Sequence, residues 1–240
     1  MARRLLFAWA LGMSASVGRA YGQQVAPAPL APMGWESAST AGGLLPAVTP
    51  PHSRARALFT PMRVAVGLLG ASVVAGHVLA PDSYSWKRNT ISELAAQRYD
   101  NAWVVRSGFV SFGSLVSVAA ARDLATGRKQ WAQALPVAMY GAAIAMTAAY
   151  SAAPFEPEVP FSKAEANRHS LFATAAGISL STAMAGHIVL ERDHKKRRRH
   201  VAGLAVVTLS SIMFMQQPKS QGVWQRTMWL GGLGWLARAY

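Results

Sequence analysis

The sequence predicts an all-α protein that crosses a membrane several times, as a six-helix transmembrane bundle with a short amphipathic surface helix between its first two spans. The composition gives the first indication, because charged residues make up only 14% of the 240 residues, against about 25% in an average soluble domain. The arrangement of the hydrophobic residues gives the second. They make up 52% of the chain and collect in runs near the ~20 residues that cross a bilayer as a helix.

The chain contains no cysteine, which excludes disulfide frameworks, thiolate metal sites and cysteine nucleophiles. Lysine and arginine number 24 against 10 acidic residues, for a formal net charge of +14. Such an excess is typical of nucleic-acid-binding proteins when it covers one face of a domain. Here the basic residues lie between apolar runs, so we expect no nucleic-acid partner.

The first 61 residues differ in kind from the rest. Arg3 and Arg4 precede an apolar run, and small residues around Gly22 follow it, as is typical of a secretory signal peptide. Residues 23–61 are rich in Pro, Ala, Ser and Gly and bury too little apolar surface to offset the entropy of ordering. We therefore divide the chain into a signal-like, disordered, proline-rich extension over residues 1–61 and a six-span transmembrane domain over residues 62–240.

Apolar runs of membrane-spanning length follow one another from residue 62 onward. A soluble helix of that length needs a polar face, and these runs lack one, so we interpret them as spans. The predicted spans are Met62–Ala80, Trp103–Ala121, Trp131–Ala153, His169–Leu190, Val201–Gln217 and Val223–Ala239.

Small residues recur at helical spacing in the third and fourth of these spans. Lipid tails are as apolar as leucine, so helices in a membrane associate through close packing, which favours small side chains at their contacts. We expect these stripes to face neighbouring helices. They consist of Ala138, Ala142, Ala145 and Ala149, and of Ala173, Gly177, Ser181 and Ala185.

The basic residues of the loops predict the orientation of the spans. If the first span starts in the cytoplasm, most lysine and arginine residues lie on inside-facing segments. Because cytoplasmic loops carry an excess of these residues, we expect a multi-pass protein of the inner (plasma) membrane with both ends of residues 62–240 in the cytoplasm.

A cleaved signal peptide would invert this orientation and translocate the basic run Asp193–His200. Short loops that are so basic are retained in the cytoplasm, so we hypothesise that the functional chain begins at or near Met62. We expect membrane lipids as partners, and the sequence does not identify any protein partner. Anionic headgroups are expected to lie near the basic run, at Lys195, Lys196, Arg197, Arg198 and Arg199.

The segment between the first two spans contains the start of a helix. Thr90 and Glu93 are spaced as a capping box, in which the Thr hydroxyl accepts from the Glu amide and the Glu carboxylate accepts from the Thr amide. Ile91, Leu94 and Ala95 would share one face. We expect this short helix to lie on the bilayer surface or to dip between the spans. Glu93 either only caps the helix or also acts as an acid, a base or a ligand partner at the outer face.

Polar residues at the outer ends of other spans are expected to converge on this helix. Ionisable groups at membrane depth are costly and usually face the bundle interior or a wet cavity. Alternatively, Arg106 and Arg226 would reach out to the lipid headgroups. A guanidinium binds phosphate or carboxylate in a bidentate manner. The candidate ligand-binding residues are Ser92, Glu93, Arg106, His169, Gln225 and Arg226.

Three classes of function fit these observations. No metalloprotease, hydrolase, phosphate-loop or dinucleotide motif is present, so we expect no cofactor and favour a non-enzymatic protein that binds or moves a small lipid or amphiphile at the outer face. The alternative is an intramembrane hydrolase, in which His77 and His169 with Glu93 or Asp82 hold zinc and activate water. The third is a structural or stress-response subunit.

Three short segments carry a resemblance to a known family. They are Thr90–Leu94 after the first span, the Pro-rich acidic loop Pro154–His169, and Gly222–Arg226 at the start of the last span. Together they resemble the bacterial integral membrane family named domain of unknown function 998, over residues 62–240. The resemblance implies a six-span fold and no established activity. The acidic loop departs from the usual family pattern, because Glu156 and Glu158 stand where an Asp-containing segment is more usual.

Overall fold

The computed structural model describes residues 60–240, which form helices and no strands. The signal-like and linker assignments of residues 1–59 lie outside the described residues. The helices are α1 (Pro61–Val78), α2 (Ile91–Leu94), α3 (Ala102–Ala125), α4 (Trp131–Ala149), α5 (Lys163–Leu190), α6 (His194–Gln216) and α7 (Gln221–Ala239), with a 3₁₀ turn at Pro218–Ser220.

Four of these helices, α1, α3, α4 and α5, are each long and apolar enough to cross a membrane. α6 and the segment Pro218–Ala239 pass the same test only as a pair, bent by 120° at the break between them, which gives up to five spans if the pair is counted as one. The prediction of an all-α, multi-pass chain is thus confirmed. The count of six spans stays a prediction.

The basic run at residues 194–200 forms the first two turns of α6, and the expectation that it is a loop was wrong. Asp193 starts the helix, because its carboxylate accepts from the amides of Lys195 (2.7 Å) and Lys196 (3.2 Å). Those two amides also lower the pKa of Asp193. An acidic N-cap satisfies free amides at the start of a helix, so it offsets the unfavourable position of cationic side chains there.

The centre of the bundle is a close crossing of α3 and α4 at two glycines. A Cβ atom on Gly113 would lie 2.4 Å from the carbonyl oxygen of Gly141 and 2.6 Å from the amide nitrogen of Ala145. A Cβ atom on Gly141 would in turn lie 2.6 Å from the carbonyl oxygen of Gly113. The backbones approach so closely because neither position carries a side chain.

The predicted stripe of small residues in α5 is not the contact face of that helix, and the stripe in α4 is a contact face only in part. In α5, Ala173 is exposed and no atom lies within 4 Å of a Cβ placed on Gly177. The face of α5 that packs into the bundle includes Ala176, Leu180 and Ala183 instead. In α4, Ala138 and Ala145 lie against α3, whereas the alanines at positions 142 and 149 are exposed.

Hydrogen bonds between distant segments define two ends of the bundle. At the end that carries α2, here called the α2 end, the amide of Gly222 at the start of α7 donates to the carbonyl of Arg88 (3.2 Å). At the opposite end, called the basic end because α6 begins there with its cationic run, Lys129 Nζ donates to the carbonyl of Ala239 (2.9 Å). The chain therefore returns to the α2 end at the start of α7 and leaves it again.

Candidate functional site

Helix α2 forms at the predicted capping box but is only four residues long. The Thr90 hydroxyl accepts from the Glu93 amide (3.2 Å), and the Glu93 carboxylate accepts from the Thr90 amide. Ile91 and Leu94 are both buried, and so are the three residues that follow the helix, Ala95, Ala96 and Gln97. The segment is thus enclosed by the bundle, whereas a helix on the bilayer surface would expose one side.

The start of α7 holds the first turn of α2. Gln225 is buried, its side-chain carbonyl accepts from the Ile91 amide, and its side-chain amide donates to the Ser92 hydroxyl (3.4 Å). The first amides of a helix have no partner within the helix, so Gln225 supplies one from another element. The structure thus brings together Ser92 and Gln225, two of the predicted site residues.

Arg226 is the centre of a hydrogen-bond network at the α2 end. Its Nη1 donates to the carbonyls of Asn89 (2.9 Å) and Gly222 (2.8 Å). Its Nη2 donates to the Tyr84 hydroxyl (2.6 Å) and to Nε2 of His77 (2.7 Å). Four of the five guanidinium hydrogens are thereby used inside the protein, so Arg226 does not reach out to headgroups.

Both ring nitrogens of His77 are engaged in the same network. Nδ1 lies 2.7 Å from the carbonyl of Val73, and a carbonyl only accepts, so Nδ1 carries the proton. Nε2 therefore presents its lone pair to the Arg226 guanidinium, which only donates.

Arg106 closes the other end of α2. Its Nε donates to the carbonyl of Ala95 and its Nη2 to the carbonyl of Ala96, both at 2.9 Å. A cation is favourable at the carboxyl end of a helix, where carbonyls lack partners. Arg106 also lines a cleft of about 260 Å³, which we call the Arg106 cleft; it is formed by Gln97, Arg98, Arg106, Ser151, Ser162 and Glu165.

His169 lies in a separate network that joins α4 to α5. The ring is 5% exposed, and Nδ1 donates to the carbonyls of Tyr150 (2.8 Å) and Thr147 (2.9 Å) at the end of α4. Gln97 extends this network, donating to the carbonyls of Ser151 and Ser162 at 3.2 Å each. No hydrogen bond within residues 60–240 joins His169 to Glu93, so the structure does not bring these two predicted residues together.

Glu93 faces a second cleft, of about 330 Å³, which we call the Glu93 cleft. One part of its lining is apolar and consists of Gly76, Leu79, Ala80, Pro81, Leu94, Ala102 and Phe155. The other part is polar and consists of Glu93, Arg98, Tyr99, Asp100 and Asn101. The cleft is therefore amphipathic, and four separate segments of the chain form it.

Arg98 stands out among the residues that sequence reasoning missed. It has a φ of 70°, in the left-handed region that few residues other than glycine occupy. Its side chain is exposed and lines both clefts. The nearest signal in the sequence is the polar run Gln97–Asn101 directly after the capping-box helix.

Burial raises the pKa values of three side chains around the Glu93 cleft. It raises the pKa of Glu93, and the hydrogen bonds from Thr90 and Asn89 and the charge of Arg226 only partly oppose this effect. Burial also raises the pKa of Tyr84, and burial together with the nearby Glu156 carboxylate raises the pKa of Tyr99 to about 12. Both phenols therefore stay protonated near neutral pH and remain hydrogen-bond donors.

The arrangement does not fit the zinc site of the alternative prediction. Between residues 60 and 240, no three or more side chains of His, Cys, Asp or Glu come together in a way that would hold a metal ion. The Nε2 lone pair of His77, which a metal would need, faces the Arg226 guanidinium, a cation. His169 lies in the other network, so the two histidines do not form a pair.

The helices and the polar clusters at their ends define a multi-pass membrane protein. Residues 64–239 match the family described as "Protein of unknown function (DUF998)", so the chain belongs to this family, and the resemblance noted in the sequence is confirmed. Comparison with curated proteins and with solved structures gives no match.

Proposed function

We propose that this protein binds a small lipid or amphiphile in the Glu93 cleft and retains it there or facilitates its movement, without chemical change. The observation that carries the proposal is the amphipathic lining of a cleft of about 330 Å³, near the lower end of the ~300–1,000 Å³ typical of ligand pockets. Such a volume suits a headgroup and the first atoms of its chain. The rest of the chain would lie outside the cleft.

An apolar path leads from the cleft along α1. Leu79 lines the cleft and is 44% exposed, while Val78, the last residue of α1, and Val74, one turn before it, are 78% and 65% exposed. Residues four apart lie on the same face of a helix. A hydrocarbon chain leaving the cleft beside Leu79 would therefore meet an apolar strip that faces lipid.

Within this proposal the predicted site residues have two kinds of role. Glu93 contacts the ligand directly, joined by Arg98. The other predicted residues position the walls of the site, because each makes at least one hydrogen bond to the protein; they are Ser92, Arg106, His169, Gln225 and Arg226. The arginines expected to receive the headgroup thus serve to hold α2 in place.

We propose six spans, with α6 and α7 each crossing the bilayer, and with the α2 end outside a bacterial inner membrane. The bend of 120° between α6 and the segment that follows supports two crossings, because it turns the chain back toward the basic end. Both ends of residues 62–240 would then lie in the cytoplasm. The cationic start of α6, residues 195–199, would contact anionic headgroups there.

Single cysteines test this topology directly, since the natural chain contains none. Asp82 at the α2 end and Lys196 at the basic end are both exposed. In intact cells, Asp82→Cys should react with a membrane-impermeant maleimide and Lys196→Cys should react only after permeabilisation. The parent chain is the unlabelled control, and the reverse pattern would show that the orientation is wrong.

Native mass spectrometry of the full chain in detergent tests the binding function. We expect the protein to retain one lipid or amphiphile, and Ala80→Trp, which fills the cleft, to lower its occupancy at least ~10-fold. Ala71→Trp is the matched control, because Ala71 is exposed on α1 and does not line the cleft. A parent protein that retains no ligand, or equal occupancy in the two variants, would contradict the proposal.

A further inference from the structure

The charges that line the Glu93 cleft have both signs. Glu93 and Asp100 contribute carboxylates, and Arg98 contributes a guanidinium. A headgroup with only negative charge would meet two carboxylates there, and one with only positive charge would meet the guanidinium. A headgroup that carries both signs can place each charge against its opposite.

The Glu93 cleft also has an aromatic part to its lining. Tyr99 and Phe155 stack with ring centroids 5.0 Å apart and planes inclined by 17°, and both rings line the cleft. Tyr84 meets Phe155 edge-on at 5.5 Å and fixes its position. Carboxylates beside aromatic rings are the surroundings in which proteins bind ammonium groups.

Arg98 differs from the other two arginines considered at the α2 end in how its side chain is bonded. Arg106 and Arg226 are bonded to backbone carbonyls, whereas the Arg98 side chain makes no hydrogen bond within the described part of the chain. Its left-handed backbone, with φ 70°, holds this free cation at the rim of the cleft at some energetic cost. Residues kept in such conformations cluster at ligand sites.

We propose that the ligand of the Glu93 cleft is a zwitterionic aminophospholipid, whose ammonium group lies against Glu93 and Asp100 and whose phosphate lies against Arg98. This inference rests on the proposed binding function and adds the class of headgroup. The guanidinium matches the two oxygens of a phosphate. The acyl chains follow the exposed strip of α1 that begins at Leu79.

Glu93→Gln separates charge from structure at this site. Glutamine at the third helical position forms a capping box as glutamate does, so this variant keeps the start of α2 and removes only the negative charge. Asp100→Asn makes the same change at the second carboxylate. Arg98→Gln removes the positive charge from an exposed side chain.

The test is native mass spectrometry of the full chain offered equal amounts of phosphatidylethanolamine and phosphatidylglycerol. We expect the parent protein to bind the first at least ~10-fold more than the second. Glu93→Gln and Asp100→Asn should each lower that ratio several-fold, and Arg98→Gln should weaken binding of both lipids. Arg88→Gln, an exposed arginine that does not line the cleft, is the control and should change neither.

The outcomes distinguish a wrong headgroup assignment from a wrong proposal of lipid binding. If the parent protein binds phosphatidylglycerol as well as or better than phosphatidylethanolamine, or if Glu93→Gln and Asp100→Asn leave the ratio unchanged, the headgroup assignment is wrong and lipid binding stands. If the parent protein retains neither lipid nor any other amphiphile, the proposed function itself is wrong.

Discussion

Replacement of Arg226 by leucine is expected to lower the stability of the protein by about 2–4 kcal/mol. Hydrogen bonds of a charged group contribute roughly 1.5–3 kcal/mol each and are not additive within one network. Arg226 makes four of them, to Asn89, Gly222, Tyr84 and His77. Leucine would remove all four of these hydrogen bonds at the junction of α1, α7 and the loop before α2, and only the Asn89 carbonyl would keep another side-chain donor, the Tyr84 hydroxyl.

Thermal unfolding of the full chain in detergent measures this effect. About 1 kcal/mol shifts the midpoint of a chain of this size by ~2–4 °C, so we expect Arg226→Leu to lower the apparent Tm by roughly 5–15 °C. Arg226→Lys should be intermediate, because an ammonium has three donors and lacks the planar fork. Arg88→Leu, the same change at an exposed position on the same end, is the control.

An equal, small change in Arg226→Leu and Arg88→Leu would show that the Arg226 network contributes no stability. Such a result would return Arg226 to the role expected from the sequence, that of a guanidinium available to a ligand. The lipid occupancy of Arg226→Leu then decides between the two roles. A positioning residue affects the fold first, and a direct ligand contact affects occupancy in a protein that stays folded.

The local features of this chain could be predicted because they depend on neighbouring residues. The Thr90–Glu93 capping box needs only two residues three positions apart, and the structure confirms it. The apolar runs gave the long helices to within a few residues at most ends. The start of α5 differs from the prediction because a helix cap sets it. The Ser162 hydroxyl accepts a hydrogen bond from the Glu165 amide (3.3 Å), so the helix begins ahead of the first apolar residues.

The candidate site was only partly predictable, because it depends on which segments meet. Several of the predicted side chains do lie around α2, yet their hydrogen-bond partners are mostly backbone carbonyls, which a sequence does not distinguish. Arg106 could be placed at the outer end of a span, but its bonds to Ala95 and Ala96 depend on where α2 ends. Arg98 was missed for the same reason, since its left-handed backbone follows from the turn between α2 and α3.

These hydrogen bonds explain how a short buried segment can form one wall of the proposed binding site. Four residues are too few for a stable isolated helix, so α2 depends on partners from outside. Gln225 holds its amino end and Arg106 its carboxyl end, and Arg226 fixes the residues just before it. Glu93 is therefore held by the bundle and not by α2 alone, which is the rigidity that the proposed headgroup site requires.

Gly113→Ala is expected to destabilise the protein by about 1–3 kcal/mol, the usual effect of overpacking a tight contact. The added Cβ would lie 2.4 Å from the Gly141 carbonyl oxygen and 2.6 Å from the Ala145 amide nitrogen. Both are backbone atoms, so α3 and α4 must move apart as whole helices. With ~2–4 °C for each kcal/mol, the apparent Tm should fall by roughly 3–10 °C.

Gly177→Ala makes the same change in α5 and should have the opposite sign. No atom lies within 4 Å of its Cβ position, and alanine is favoured over glycine in a helix by roughly 0.5–1 kcal/mol, so the apparent Tm should be unchanged or slightly higher. Comparison of Gly113→Ala with Gly177→Ala also tests the prediction from the sequence that Gly177 lies at a helix contact. If Gly177→Ala is the more destabilising of the two, two conclusions follow. The predicted stripe of α5 is then a contact face, packed against a surface outside this chain's own bundle. The α3–α4 crossing is then also looser than in the structure.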